Sequence, residues 1–123
     1  MNKKTIDPPV DWGALLASFE GDQDFVRELV ALFIVNSNEL LALITAASGT
    51  HDYKGLREAA HSLKGASASM HAVGTSVAAS AIEVAARAGD GSRMAALVGA
   101  LANEIRGTVD YLQAKLLQSD IAS

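Results

Sequence analysis

Glu58-Ala59-Ala60-His61-Ser62-Leu63-Lys64-Gly65-Ala66-Ser67-Ala68-Ser69-Met70 mixes small, apolar and polar residues with the period of an α-helix. Leu56, Ala59, Ala60, Leu63, Ser67 and Met70 recur at spacings of three and four, which lines them up as one apolar or small stripe. Asp52 is a capping residue type, so the spacing predicts a helix from about Asp52 to about Met70. With that stripe turned inward, Arg57, His61, Lys64, Gly65 and Ala68 share the opposite face. His61 is thereby placed in water.

The same reading extends in both directions. Toward the N-terminus, Asp22 to about Ala47 carries Val26, Leu29, Val30, Phe33, Leu40, Ile44 and Ala47 mostly at helical spacing. Its middle, Asn36-Ser37-Asn38, is either a bend or a solvated stretch. Before it, Glu20-Gly21-Asp22 makes a turn after a short helix from Asp11 to Phe19, with Asp11 able to cap it. Residues 1–9 read as a flexible lead-in closed by Pro8-Pro9, a pair that favours extended backbone. Toward the C-terminus, a fourth helix is predicted from Val73 to Ala88, ending at Gly89, with Val77, Ala81, Val84, Ala85 and Ala88 as its narrow packing face. The last begins near Asp90-Gly91-Ser92 and runs to about Gln118, with Met94, Leu97, Leu101, Ile105, Leu112 and Leu116 in near-heptad register. Short turns make successive long helices antiparallel neighbours. The expected fold is all-α: an antiparallel up-and-down four-helix bundle with a short additional N-terminal helix, occupying residues 10–118, with a frayed end at 119–123.

Composition agrees with a bundle and narrows the function. The chain has 123 residues, enough for one domain that buries roughly two thirds of its unfolded surface. Half of the residues are hydrophobic but only 5% are aromatic, so Ala and Leu fill the interior. Both prolines lie in Pro8-Pro9, so nothing after them forbids long helices. Without cysteine there is neither a disulfide framework nor a thiolate metal site, which suits the cytoplasm. A net charge of −4 without a clustered basic patch argues against nucleic acid. The basic opening Met1-Asn2-Lys3-Lys4 leads into prolines rather than an apolar run, so it does not read as a signal peptide. No stretch reads as long enough to span a bilayer, and no membrane role is expected. A monomer is expected, and the starting Met1 and frayed end favour a free-standing protein.

Chemistry concentrates around His61. Gly65, one turn on, costs about 1 kcal/mol relative to Ala in a helix interior and caps nothing, so something needs its missing side chain. With Ala68 a further turn along, the surface on the C-terminal side of the imidazole is bare, open to another protein's backbone or to a phosphoryl group. Lys64 can offer that group an ammonium. The run Ala60-His61-Ser62-Leu63-Lys64-Gly65-Ala66-Ser67 resembles the AHxLKGxS signature of histidine phosphotransfer (HPt) domains of two-component phosphorelays. The similarity extends through Phe19-Glu20-Gly21-Asp22 and through Ile82-Glu83-Val84-Ala85-Ala86-Arg87-Ala88-Gly89-Asp90, which is similar to the family's LExAARxGD, and covers about Val10 to Leu117.

The resemblance implies that His61 is the phosphoacceptor, through Nε2, that Lys64 is the charge partner of the phosphoryl group, and that Gly65 gives clearance for a docking receiver domain. Ala68, Arg57 and Lys54 are expected on the same docking surface. One departure is visible: where the family commonly has a glycine ten residues after the histidine, this chain has His71. The expected partners are response-regulator receiver domains, a hybrid histidine kinase, or both. The chain needs no cofactor of its own, since the receiver brings an aspartate and Mg2+. An exposed imidazole is largely neutral near pH 7, leaving one ring nitrogen free to attack. The rival use of His51, His61 and His71 as a metal site fails for the latter two, which are separated by about 15 Å of helical rise and some 80° of rotation. Without a phosphate-binding loop or room for a nucleotide domain, an independent ATP-using kinase is a distant third reading. The alternative function is a non-catalytic helical protein-interaction module.

Overall fold

Three aspartates set where the first three helices begin. The carboxylates of Asp11, Asp22 and Asp52 accept hydrogen bonds from the amides of Ala14, Phe25 and Gly55 at 3.1, 3.1 and 2.9 Å, each satisfying an orphan donor of a first turn. The computed structural model describes residues 7–122, with side chains as far as residue 118. Its helices are α1 (Trp12–Ser18), α2 (Gln23–Gly49), α3 (Tyr53–Ser69), α4 (Val73–Arg87) and α5 (Met94–Ala122). Residues 1–6 of the expected lead-in, and the side chains of the expected frayed end, lie outside the described residues. The backbone of α5 continues past the expected stop at Gln118.

The stops are as well defined as the starts. After each of α1, α2, α3 and α4 the chain enters left-handed φ: at Glu20 (56°) with Gly21 following (76°), at His51 (56°), at His71 (57°) and at Gly89 (66°). The amide of the residue that follows then reaches back to a carbonyl of the last turn, at 2.8 Å for Gly21 to Leu16 and 2.9 Å for Asp52 to Ala47, Ala72 to Ser67 and Asp90 to Ala85. This closing motif consumes carbonyls that the helix leaves unpaired. His71 therefore stands at a place that suits glycine because of its φ, and the chain ends α3 there all the same. Its Nε2 is hydrogen-bonded to Ser18 Oγ at 2.9 Å, and its carbonyl accepts from the Asp11 amide at 3.2 Å. The residue that departs from the family pattern thus pins α1 to the α3–α4 turn.

Around the bundle α2 packs on α3, α3 on α4, α4 on α5 and α5 back on α2, while α1 rests on α2. Ile44, Leu56, Ala60, Leu63, Ile82 and Leu101 form the centre of one core cluster. Val10, Leu15, Val26, Val30, Phe33 and Leu112 form a second one, which α1 closes. The stripe of α3 is buried as expected, with Leu56, Ala59, Ala60, Leu63, Ser67 and Met70 all inside. In α2 the segment Asn36-Ser37-Asn38 is helical without interruption. Ser37 is buried there, its hydroxyl donating to the Ile34 carbonyl at 3.1 Å.

Two expectations fail. The packing face of α4 is Thr75, Ala79, Ile82, Glu83 and Ala86, rotated by roughly half a turn from the predicted Val77, Ala81, Val84, Ala85 and Ala88. Val77 and Val84 point outward, 64% and 61% exposed. The helix is apolar nearly all round, so periodicity gives no contrast, and the face is chosen by small Ala79 and Ala86 between α3 and α5. Thr75 is tolerated inside because its hydroxyl pairs with that of Thr108 on α5 at 3.0 Å. Second, α2 does pass the length and composition test for a bilayer span, with mean hydropathy 1.8 over its most apolar 18-residue window. In the fold it is a bundle helix, sending Val26, Val30, Phe33, Ile44 and Ala47 into the core.

Candidate functional site

α3 presents His61 where the sequence places it, with a side chain 69% exposed. Gly65 and Ala68 follow along the same face, both exposed. A Cβ built on Gly65 meets nothing within 4 Å, so close packing inside the bundle does not explain this glycine. Lys64 is half-buried at the α3–α4 seam. The Ser76 hydroxyl, donating to the Lys64 carbonyl at 3.2 Å, fastens α4 to α3 beside it. Arg57 is half-buried one turn before His61, and the two share a shallow cavity of about 430 Å3 with Glu58, Ser62, Glu83 and Arg87. Lys54 is exposed at the start of α3, about 10 Å of helical rise from His61, and stands apart from this group. His71 is tied to Ser18 and His51 ends α2, so the three histidines do not converge. Among the described residues no three His, Cys, Asp or Glu side chains cluster to hold a metal ion.

The residue that the sequence reading missed is Glu83. It lies on the buried face of α4, 3% exposed, and its carboxylate is the hub of the site. Oε1 meets Lys64 Nζ at 2.7 Å; Oε2 meets both His61 Nδ1 and Arg87 at 2.9 Å. A buried carboxylate is tolerated only when paired, and here three cationic or donor groups from two helices converge on it. Its carboxyl is held down at about 2, chiefly by the hydrogen bond from Lys64, with burial opposing and the bond from His61 assisting. The group is therefore ionised at any physiological pH. An ionised carboxylate only accepts hydrogen bonds, so His61 Nδ1 donates to it. That selects the tautomer with hydrogen on Nδ1 and a lone pair on Nε2.

Arg87 is the second missed residue. One turn after Glu83 on α4, it completes an i,i+4 pair in the favourable order, acid before base. The signal available in the sequence for both was the resemblance through Ile82-Glu83 and Ala86-Arg87 to LExAARxGD. Helical periodicity pointed elsewhere, because it put the opposite side of α4 inward.

The arrangement is an exposed nucleophilic nitrogen beside an ammonium, with open space on one side. Comparison with known proteins agrees. The structure resembles that of histidine-containing phosphotransfer protein B (HptB) from Pseudomonas aeruginosa PAO1, with TM-score 0.85 and 28% identity over 92% of this chain and 98% of that one. It shares its fold with the HPT domain of a sensor hybrid histidine kinase from Shewanella, with TM-score 0.78 and 19% identity over 89% and 95% of the two chains. No curated protein sequence gives a significant match. The family described as Hpt domain matches residues 28–115, most of the bundle and all of the site, and the chain belongs to that family, the histidine phosphotransfer domains of phosphorelays.

Proposed function

We propose that His61 is the phosphoacceptor of this domain, taking a phosphoryl group on Nε2 from a receiver-domain aspartate and passing it to another receiver. The observation that carries the reading is the contact between His61 Nδ1 and the buried, ionised Glu83. It leaves Nε2 with a free lone pair on an imidazole that is largely in solvent. Phosphoryl transfer asks a protein mainly for positioning and charge neutralisation. Glu83 orients the ring, and Lys64, bonded to Glu83 at 2.7 Å, supplies the ammonium for an oxygen of the incoming group. Mg2+ and the aspartate belong on the receiver's side.

The receiver docks over Gly65 and Ala68 in this reading. An apolar groove of about 520 Å3, lined in part by Phe19, Leu29, Leu32, Val35, Ala66 and Ser69, begins beside Gly65 and offers the receiver surface to bury. Arg57 flanks His61 and belongs to the contact; Lys54 lies at its margin. The cysteine-free chain suits the cytoplasm. The alternative of a helical interaction module with an incidental histidine leaves the family membership and the Glu83 contact unexplained.

The test is incubation with a phosphorylated receiver. The parent chain should gain an acid-labile phosphate, His61→Gln should gain none while keeping its helicity and melting temperature, and His71→Gln should be labelled like the parent. Label retained by His61→Gln and lost by His71→Gln refutes the assignment. Given only ATP and magnesium, the isolated chain should stay unlabelled.

A further inference from the structure

We propose that the outer face of α4 is an interaction surface for a second copy of this chain, and that two copies pair through it as antiparallel, two-fold-related helices. The inference stands apart from the role of His61. It begins with residues that the sequence reading turned inward and the fold turns out. Val73, Val77 and Val84 are 67%, 64% and 61% exposed, and with exposed Ala88 they span only about 60° around the helix. Between them lie Ser80 and Ala81, both short and half-buried. No charged residue of α4 interrupts the stripe, since Glu83 is buried on the inner face and Arg87 stands at the edge. A continuous apolar strip with a polar rim marks a contact surface.

What singles out a second copy is that the stripe is its own complement. A two-fold axis across α4 between Ser80 and Ala81 sets Val77 against the second copy's Val84, Val73 against its Ala88, and Gly74 level with its Arg87. The small pair at the centre lets the two backbones approach to about 8 Å, with valines closing over each side. The charges agree with that register. Glu104 of α5 leans over Gly74, where a Cβ would collide with its carboxylate, and it forms no hydrogen bond or ion pair among the described residues. Arg87 gives one guanidinium nitrogen to Glu83 and keeps its other donors on a side chain 62% exposed. The pairing carries each copy's Arg87 toward the other's Glu104, twice by symmetry. A parallel pair would instead set Arg87 beside Arg87 and Glu104 beside Glu104.

The same geometry limits the strength. α4 has 15 residues, a length of about 22 Å, and one helix face per copy falls short of the roughly 800 Å2 per partner that stable complexes bury. The dimer is therefore weak, and its population is set by concentration. It leaves the groove proposed for the receiver free, because no residue of α4 lines that groove. A receiver and a second copy thus approach different faces.

The test uses the whole chain at micromolar to millimolar concentration. In sedimentation equilibrium the parent's apparent mass should rise from 12.8 kDa toward twice that value. Val77→Glu, at an exposed position outside the core, should stay at the monomer mass with an unchanged melting temperature. Glu104→Lys should weaken association at low salt by about 5-fold or more; an unchanged dissociation constant overturns the antiparallel register. Orientation is read by cross-linking, for which the cysteine-free chain gives a clean background. Under mild oxidation Ser80→Cys should form a disulfide with its own copy, because the axis brings the two positions to the Cα separation of about 6 Å that the bond needs. Val73→Cys should not, since its two copies lie about 22 Å apart, but mixed with Ala88→Cys it should form the heterodimer. A parent that stays monomeric at millimolar concentration overturns the inference, whether or not the face then binds phosphatidylcholine vesicles. Self-association that Val77→Glu leaves intact overturns the choice of face, and a Val73→Cys homodimer formed as fast as the Ser80→Cys one overturns the pairing.

Discussion

Replacing Gly65 separates what α3 wants from what its partner wants. In a helix interior, glycine is about 1 kcal/mol less favourable than alanine, mostly because of the freedom it has in the unfolded chain. A Cβ at Gly65 would touch nothing within 4 Å, so Gly65→Ala has no steric penalty to set against that gain and should be stabilising by close to the full amount, a rise in melting temperature of about 4 °C for a domain of this size. Gly107 serves as the control. It is exposed on α5, with equally open space around it, and α5 packs against α2 and α4 but not α3. Gly107→Ala should therefore match the gain and leave transfer unchanged. Gly65→Gln should also melt above the parent, yet its longer side chain fills the space beside His61. Transfer from a phosphorylated receiver should slow by about 10-fold or more, equivalent to about 1.4 kcal/mol in barrier. Gly65→Glu should be slower still, because its charge repels the phosphoryl group. The measurements are thermal melts and single-turnover transfer on the same set of variants. A Gly65→Gln that melts below the parent and transfers at the parent's rate would show that the glycine serves the bundle and not the docked receiver.

Two further outcomes follow from the caps and the hub. Glu83 is held at about 2 in the fold against an ordinary value of 4.5, so its stabilising contribution is fully present above 4.5 and is lost as pH falls from there toward 2; the difference in stability between parent and Glu83→Gln should shrink across that window, and a constant difference down to the acid limit would refute the ion-pair origin. His51 and His71 both take left-handed φ, which costs a side chain about 1 kcal/mol. His51→Gly should recover that amount in a thermal melt, whereas His71→Gly should recover less because it loses the Ser18 bond, itself about 0.5 kcal/mol at an exposed site; equal gains would show that this bond does not stabilise the fold.

How much of the fold could be read depended on contrast. In α3 the inward stripe alternates with Arg57, His61 and Lys64, so one face is plainly apolar and the other plainly not, and the reading of every inward residue holds. The same is true of α2 at Val26, Val30, Phe33, Ile44 and Ala47. In α4, Val73, Val77 and Val84 make the outer side strongly apolar, while the inner side contains Thr75 and Glu83. Polarity then misleads, because whether a polar group can be buried is decided by a partner on another helix: Thr108 for Thr75, and Lys64, His61 and Arg87 for Glu83. No window along one helix contains that information.

The site divides along the same line. His61, Lys64 and Gly65 lie within five residues on one face of α3, so their spacing alone assembles an exposed imidazole, an ammonium and a clearance. Glu83 is 22 residues from His61 and enters only when α4 is laid against α3 with a particular rotation. A glutamate read by itself belongs to solvent, and turning α4 by half a turn would send it there. The rotation that buries Glu83 also gives Lys64 a resting partner and fixes which imidazole nitrogen is free. The motif on α3 therefore points to the proposed phosphoacceptor, but the hydrogen bond its ring makes is set by how α3 and α4 pair. A chain with the same motif and no acid at this point of α4 would carry the same histidine with its tautomer unspecified.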